Sequence, residues 1–307
     1  MCYNLFMKRA VVFAHYDKQN IVDDYVVFYL KELKKLCDEI VFVSCNPLEN
    51  PEIFNGIVSH IIDETHNEYD FGSYKRGYLY LKNRLKDFDE LIFANDSCYA
   101  PIYPFEELFN KMNNAKCDFW GITKNNFGYR KNICGFRRPH IQSYFIVFKK
   151  NVFTSEIFDN FISSIKQQKN KRKVISEYEI GLSEVLYKNG FTSSQFINVY
   201  ENINNIPVLK WRKIIQDYNM PFLKCSIPRL LNREMTTAEG WEKAVTGKYP
   251  VELIYKNIER LGFGKKNRYS CSLKIKQKFF DFISKKPFLL RKLLVKSVFI
   301  IFPCMKD

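Results

Sequence analysis

The pattern of apolar and polar positions predicts strands that alternate with helices. Short apolar runs lie within residues 10–14, 39–45, 57–62 and 91–94, and each is followed by polar or turn-forming residues. Such runs are typical of strands that are buried on both faces of a sheet. Between the first two runs, residues 21–37 carry apolar side chains at helical spacing. Alternating strands and helices form parallel βαβ units, so we expect an α/β fold with a mostly parallel sheet flanked by helices.

Later segments continue this alternation and then become less regular. The further elements that we expect are helices at 105–112, 153–166 and 177–189 and strands at 117–123 and 144–148. Residues 125–138 are rich in Asn, Gly, Arg and Lys, which predicts a mobile loop of the kind that covers sites in α/β proteins. We expect three parts: an α/β domain at 1–205, a small helical C-terminal subdomain at 206–264 and a tail at 265–307.

Composition narrows the class of protein. The 307 residues are 46% hydrophobic and 16% aromatic, which is enough to bury a full core. The nine cysteines form no Cys-x-x-Cys pair and no ladder with the four histidines, so neither a zinc site nor a disulfide framework is expected. The apolar stretch at Met1–Met7 is too short for a secretory signal. We therefore expect a cytoplasmic protein.

The formal net charge of +15 belongs mainly to the tail. From Lys265 to Asp307 there are twelve Lys or Arg against Asp281 and Asp307, which is +10 and leaves +5 for the rest of the chain. The body therefore offers little support for a basic groove, and we expect no nucleic-acid partner. A nucleic-acid-binding protein remains an alternative that would bind through the tail and lose affinity steeply with salt.

The tail also mixes its basic residues with Phe, Leu, Ile and Val. Its longest uncharged run, Ser297–Met305, is shorter than the roughly 20 residues that span a bilayer. A basic amphipathic segment suits an anionic membrane surface, where each Lys or Arg contributes about 1 kcal/mol. We therefore expect peripheral association with the inner face of the cell membrane, although a helix packed on the body has the same composition.

Polar residues at strand ends are the first candidates for chemistry. The run Leu91–Ala94 stops at Asn95-Asp96-Ser97, and the first strand stops near His15 and Asp17. Ligands of open α/β sheets bind in the crevice outside the carboxyl ends of the strands. Asp96 is thus well placed to hold a metal or a sugar nucleotide, and simple turn formation is the alternative.

A second candidate segment precedes that strand. Gly72 before Ser73 predicts a tight turn into a helix that reaches about Leu85, and the free N–H groups at a helix start favour an anion. Lys75 and Arg76 follow one turn later and suit a diphosphate, although such a pair is also typical of a solvated helix face.

The order of the motifs resembles the rhamnan synthesis protein F family. The motifs are HYD at 15–17, YDFGSYKRG at 69–77, NDS at 95–97 followed by YAPIYP, DFWGIT at 118–123, HIQSYFIVF at 140–148 and EYEIGLSEVL at 177–186. The resemblance covers about residues 10–225, with PFLK at 221–224 as its last landmark. It implies a bacterial glycosyltransferase of surface polysaccharide assembly, with dTDP-rhamnose as a donor that the family suggests.

Residues 179–190 are also similar to the segment that follows the Glu-Asp motif of inverting, family-2-like glycosyltransferases. This similarity implies a GT-A-like (Rossmann-like) sheet with Glu179 as the catalytic base, although Tyr178 replaces the first acidic residue. An exposed helix carboxylate is the other interpretation of Glu179. Asp70 and Gly72 stand where that superfamily has its donor segment, and Asn95-Asp96-Ser97 stands in place of Asp-x-Asp.

The resemblance then assigns roles to the remaining candidates. Asp96 would hold Mg²⁺ or Mn²⁺ on the diphosphate, with help from Lys75 or Arg76. His15 and Asp17 would lie at the nucleotide base. His140 and Gln142, which share one face of a predicted strand, would contact the donor sugar or the acceptor, or form a structural pair. If Glu179 is not the catalytic base, Asp118 and His140 are the next candidates for that role.

The predicted reaction is transfer of a sugar from a nucleoside-diphosphate sugar to a lipid-linked or polysaccharide glycan. Because Asn-Asp-Ser keeps only one carboxylate, an inactive scaffold of a polysaccharide assembly complex is the main alternative. Substitution of Glu179 would leave the function of such a scaffold intact.

Overall fold

A computed structural model describes residues 7–130, 133–199, 205–229 and 238–263 of the chain. The strands are β1 (Arg9–His15), β2 (Glu39–Ser44), β3 (His60–Asp63), β4 (Glu90–Asn95), β5 (Cys98–Tyr99), β6 (Phe119–Gly121), β7 (Lys124–Arg130), β8 (Ile133–Ile141), β9 (Phe145–Lys149), β10 (Ser193–Gln195) and β11 (Leu223–Lys224). Seven of them form one sheet in the order β10-β6-β9-β4-β1-β2-β3.

Helices connect and cover these strands. They are α1 (Asp24–Lys34), α2 (Tyr69–Leu81), α3 (Phe105–Asn113), α4 (Lys150–Phe153), α5 (Glu156–Ser163), α6 (Lys171–Val174), α7 (Ile180–Lys188), α8 (Ile206–Leu209), α9 (Trp211–Tyr218), α10 (Trp241–Val245) and α11 (Val251–Arg260). Short 3₁₀ turns occupy Pro51–Phe54 and Lys82–Asp87, and a π-helical turn, Ile175–Glu179, leads into α7.

The sheet confirms the predicted α/β class. Strand β1 pairs in parallel with β2 and with β4, β2 pairs in parallel with β3, and β10 pairs in parallel with β6. Strand β9 runs antiparallel between β4 and β6, so the sheet is mostly rather than wholly parallel. Its central strands are buried along their length, as their continuous apolar runs indicated.

Two apolar clusters cover the two faces of the sheet. Successive residues of β4 alternate between them: Ile92 and Ala94 face one cluster, and Leu91 and Phe93 face the other. Helices α1 and α3 and apolar side chains from the described ranges 206–229 and 238–263 pack into the first cluster, whereas α2, α5 and α7 pack into the second. The described C-terminal helices therefore share a core with the sheet.

The region predicted to be a mobile loop, 125–138, is instead largely a pair of strands. Strands β7 and β8 form an antiparallel ladder with Asn125 opposite His140, interrupted by two irregularities in register. In the sequence, Phe127 and Tyr129 alternate with other residues, and this period-2 pattern favours strands despite the polar composition. The prediction of a loop was wrong because composition outweighed periodicity.

The tail at 265–307 lies outside the described residues, and so do 1–6, 131–132, 200–204 and 230–237. Within the described ranges, no helix has both the length and the apolar character needed to cross a bilayer.

Helix α2 packs closely against β1 at Gly77. A Cβ at Gly77 would lie 2.3 Å from Cγ1 of Val12, a stiff core side chain, whereas a Cβ at Gly181 in α7 would come no closer than 3.6 Å, to a ring atom of Phe161. We expect Gly77→Ala to lower the free energy of unfolding by about 1–3 kcal/mol because it overpacks the core. The matched Gly181→Ala should be neutral or raise it by up to about 1 kcal/mol through helix propensity. Urea unfolding checks the pair, and equal effects would contradict the packing described.

Candidate functional site

A cleft of about 760 Å³ opens at the carboxyl ends of the central strands. Its lining comes from the segments after β1 and β4, from the start of α2, from the residues before α6 and from the C-terminal part of the chain. The titratable side chains of this lining include those of His15, Asp17, Asp70, Asp96, Lys171 and Arg229. The cleft thus lies where ligands of open α/β sheets bind.

The pairing of β1 with β4 brings His15 and Asp96 together. Ala14 lies opposite Asn95 in the parallel register, so the next residue of each strand projects from the same edge of the sheet. Nδ1 of His15 lies 2.7 Å from Oδ2 of Asp96, and the backbone N–H of Tyr16 donates to the same oxygen at 3.0 Å. His15 is only 4% exposed, yet neither ring nitrogen has an aligned hydrogen-bond partner.

Asn95 connects Asp96 to a second carboxylate. Its amide nitrogen donates to Oδ2 of Asp70 at 2.9 Å, and its amide oxygen accepts from the hydroxyl of Ser97 at 2.6 Å. Nζ of Lys224 donates to the same hydroxyl at 3.0 Å. The Asn-Asp-Ser motif is therefore an ordered network in which the Asn orients Asp70.

The carboxyl of Asp70 has a perturbed pKa. Burial raises the pKa of Asp70 to about 6, and the negative charges of Asp96 and Glu179 add to the increase, while Lys171 and Lys224 oppose it. Asp70 therefore exchanges its proton near neutral pH. A perturbed carboxyl in a cleft is a common feature of functional sites.

The start of α2 differs from the prediction. The helix begins at Tyr69, which has a φ of +59°, so Gly72 lies inside the first turn rather than in a turn before the helix. A Cβ at Gly72 would lie 2.4 Å from Cβ of Glu68, which explains the need for glycine there. The end of the helix that faces the cleft is consequently Tyr69 and Asp70, not Gly72 and Ser73.

Lys75 and Arg76 do not line the cleft. Nζ of Lys75 donates to the backbone carbonyl of Ile165 at 2.8 Å. Arg76 forms ion pairs with Glu64 and Glu68 on the outer side of α2. Because the helix starts earlier than expected, both cations point into structural contacts rather than towards Asp96.

Other cations line the cleft instead. They are Lys18 after β1, Lys169 and Lys171 at the start of α6, and Arg229 in the C-terminal part of the chain. Lys171 is close enough to Asp70 to lower its pKa. In the sequence, Lys169 and Lys171 belong to the basic run 169–173, which precedes the turn that carries Glu179. No local pattern marks Arg229.

Glu179 is held beside the cleft rather than in its lining. It ends the π-helical turn Ile175–Glu179, a rare conformation that is frequent at functional sites. Its Oε2 accepts from the backbone N–H of Ser143 at 3.1 Å and from the Ser143 hydroxyl, and its Oε1 lies 3.7 Å from Nε2 of His140. Burial lowers the pKa of His140, whereas the nearby Glu179 carboxylate acts in the opposite direction. The side chain of Glu179 is 16% exposed and thus has limited access to solvent.

Two other sequence candidates have structural partners away from the cleft. The hydroxyl of Thr123 donates to Oε1 of Gln142 at 2.7 Å inside the core. Oδ2 of Asp118 accepts from the backbone N–H of Thr192 at 2.7 Å, and Oδ1 accepts from the amide of Asn151 at 2.7 Å. Neither His140 nor Gln142 lines the cleft that contains Asp96.

Asp17 lies at the rim of the cleft and joins it to α11. Burial alone would raise the pKa of Asp17, but hydrogen bonds from Arg260 and from the amides of Gln19 and Ile21 outweigh it and lower the pKa. Arg260 also pairs with Asp23 at 2.6 Å. The loop after β1 is thus clamped to the last described helix.

The raised pKa of Asp70 makes the free energy of unfolding depend on pH. Because the pKa in the folded state is about 6, above the unfolded value of about 4, the folded protein loses stability as pH rises through this window. Asp70→Asn removes that cost, so we expect it to be more stable than the parent at about pH 7.5, by on the order of 2–3 kcal/mol. The difference should vanish below about pH 4.

Asp118→Asn is the matched control, measured by urea unfolding at the same pH values. Burial would raise the pKa of Asp118, but hydrogen bonds from Thr192 and Asn151 outweigh it and lower the pKa. This variant should therefore lose stability near neutral pH, with a difference that narrows as the pH falls through the low pKa of Asp118. A loss of stability in Asp70→Asn near neutral pH would contradict the electrostatics described here.

Similar proteins include one curated relative and several solved structures. The uncharacterized protein y4gN of Sinorhizobium fredii is 30% identical over 164 residues, which cover 52% of this chain and 41% of that protein. The chain thus spans less than half the length of this relative. A 4-diphosphocytidyl-2C-methyl-D-erythritol synthase from Anaerococcus prevotii matches with a TM-score of 0.38 and 16% identity, over 64% of this chain and 91% of that chain. Core-mannan synthase A of Aspergillus fumigatus, in an Mn/GDP form, matches with a TM-score of 0.33 and 11% identity, over 61% of this chain and 72% of that chain.

The family itself is identified by a match over most of the chain. The sequence profile described as rhamnan synthesis protein F matches residues 40–290. The match begins later and ends later than the region 10–225 that the motifs indicated, and it includes both the Asn-Asp-Ser segment and the Glu179 segment. The chain belongs to the rhamnan synthesis protein F family.

Proposed function

We propose that the chain is a glycosyltransferase that moves a sugar from a nucleoside-diphosphate sugar to a glycan or lipid-linked acceptor during surface polysaccharide assembly. The observation that carries this proposal is the charge pattern of the cleft. Two carboxylates, Asp70 and Asp96, lie at its base, and Lys169 and Lys171 line its wall. Carboxylates that hold a divalent ion, together with ammonium groups, are complementary to a diphosphate.

The donor's diphosphate is the leaving group, and its developing charge must be stabilised. Lys18, Lys169, Lys171 and Arg229 line the cleft and supply positive charge for that purpose. Asp96 is the residue that we assign to Mg²⁺ or Mn²⁺, and such an ion, when bound, neutralises charge on diphosphate oxygens. The donor set fits a divalent ion, since a carboxylate oxygen of Asp96 and an imidazole nitrogen of His15 that lacks an aligned hydrogen bond lie 2.7 Å apart. They contain no group of three His, Cys, Asp or Glu side chains arranged for a metal.

Glu179 is our proposed catalytic base. A sugar hydroxyl is a weak nucleophile and needs a base within hydrogen-bond reach when it attacks the anomeric carbon. Ser143 fixes one oxygen of Glu179, and the other lies 3.7 Å from Nε2 of His140. A carboxylate held in this way would accept the proton directly, and a single displacement inverts the anomeric centre. His15 and Asp17, at the end of β1, are assigned to the nucleoside side of the donor.

The acceptor suggests where the protein works. A lipid-linked glycan lies at a membrane surface, and the basic tail at 265–307 suits attachment to anionic lipid at the inner face of the cell membrane. We therefore propose a peripheral enzyme of that surface, with rhamnose as one candidate sugar. An inactive scaffold remains the second candidate because the Asn-Asp-Ser motif has one carboxylate.

Nucleotide binding is tested by thermal stabilisation with a panel of nucleoside diphosphates, with and without Mn²⁺. A ligand that binds only the folded state stabilises it by about 2.7 kcal/mol at 100 times its Kd. We expect one nucleotide to raise the Tm, and Asp96→Ala to abolish the part that depends on metal. Asp24→Ala, an exposed carboxylate paired with Lys256, serves as the control and should keep the full shift. No shift with any nucleotide would contradict the proposal.

The role of Glu179 is tested by separating binding from transfer. We expect Glu179→Gln to bind the nucleotide as the parent does but to lose about 10²–10⁴-fold in the rate of nucleoside-diphosphate release with donor and acceptor-containing membranes. Glu177→Gln, an exposed carboxylate two residues earlier, should retain the rate. An unchanged rate in Glu179→Gln would eliminate this residue as the base, and no turnover in the parent would favour the scaffold.

A further inference from the structure

His15 is a buried polar side chain that the fold leaves without an aligned hydrogen bond. It is 4% exposed, lines the cleft, and neither of its ring nitrogens has an aligned hydrogen bond. Buried polar atoms without partners are rare because their desolvation is costly, and each such atom calls for an explanation. Its Nδ1 lies 2.7 Å from Oδ2 of Asp96, so the two atoms already converge on one point at the base of the cleft.

Two other polar neighbours of Asp96 are already joined to each other by a hydrogen bond. The side-chain amide of Asn95 donates to Asp70 and accepts from Ser97, so both of its ends are engaged. The Asp70 oxygen that faces Asn95 accepts that hydrogen bond. Nδ1 of His15, by contrast, lies beside the Asp96 carboxylate without an aligned hydrogen bond.

We propose that Nδ1 of His15 and the carboxylate of Asp96 together bind a divalent transition-metal ion, Mn²⁺ in preference to Mg²⁺, so that the imidazole replaces the missing second carboxylate of the Asn-Asp-Ser motif. This inference deepens the proposed function and rests on it. Mg²⁺ strongly prefers oxygen ligands, whereas affinity for an imidazole rises along the first transition series. One imidazole nitrogen and one carboxylate thus predict that the site binds Mn²⁺ more tightly than Mg²⁺.

His66 provides a matched comparison within the same cleft. It also lines the cleft and is nearly buried, but its Nε2 lies 3.1 Å from the hydroxyl of Ser73. Its Nδ1 is 3.6 Å from a carboxylate oxygen of Glu68, away from Asp96. Because its ring contacts Ser73 and Glu68 rather than Asp96, His66 should not contribute a ligand.

The test is electron spin-echo envelope modulation of Mn²⁺ bound to the full chain in the presence of inorganic pyrophosphate. Pyrophosphate contains no nitrogen, so any ¹⁴N modulation comes from the protein. We expect ¹⁴N modulation in the parent and in His66→Gln, and none in His15→Gln. We also expect His15→Gln to lose about 10–100-fold in Mn²⁺ affinity, measured by titration of free Mn²⁺, while the weak affinity for Mg²⁺ stays unchanged.

A second form of the experiment does not depend on the folding of a variant. When the parent is grown with ¹⁵N-histidine, the ¹⁴N modulation should be replaced by that of ¹⁵N. Mn²⁺ bound without nitrogen modulation, modulation that survives in His15→Gln, or no Mn²⁺ binding would each overturn the inference. The proposed function fails separately: a parent that binds no nucleoside diphosphate contradicts it, whereas nucleotide binding with a nitrogen-free metal site contradicts only the role of His15.

Discussion

The parallel register between β1 and β4 is the constraint on which the site depends. With Ala14 opposite Asn95, and the N–H of Asp96 donating to the carbonyl of Ala14 at 3.3 Å, the next residues of the two strands project from one edge of the sheet. A slip by one residue would turn the side chains of one strand to the other face and separate His15 from Asp96. The apolar alternation that buries both faces of the sheet therefore also fixes the geometry of the cleft.

Charge in the cleft is arranged at a cost to the folded state. Burial beside Asp96 makes ionisation of Asp70 unfavourable, which a domain selected only for stability would avoid. Lys171 and Lys224 oppose this increase in the pKa of Asp70, and cations from three distant parts of the chain line the cleft: Lys18 after β1, Lys171 in α6 and Arg229. A diphosphate with its metal would satisfy both sets of charges, which is why this arrangement favours a nucleotide-sugar site over a purely structural one.

The sheet and the strand ends were predictable from sequence because they depend on local patterns. Apolar runs that stop at polar residues predicted β1 and β4. Because both strands end at the same edge of the sheet, the pattern also predicted that His15 and Asp96 lie there. The surroundings were less predictable. Tyr69 adopts a positive φ that side chains rarely accept, so α2 starts before Gly72 and turns Lys75 and Arg76 away from the cleft. The contribution of Arg229 depends on long-range packing, which no local pattern encodes.

We propose that a metal and a diphosphate bind in one cleft, between Asp96 and the cations of α6. Anomalous diffraction at the manganese edge, from crystals grown with Mn²⁺ and the nucleoside diphosphate that stabilises the protein, measures this directly. We predict one anomalous peak beside Asp96, with phosphate density between the peak and Lys171. A nucleotide bound elsewhere on the chain, or a manganese peak away from Asp96, would contradict the account.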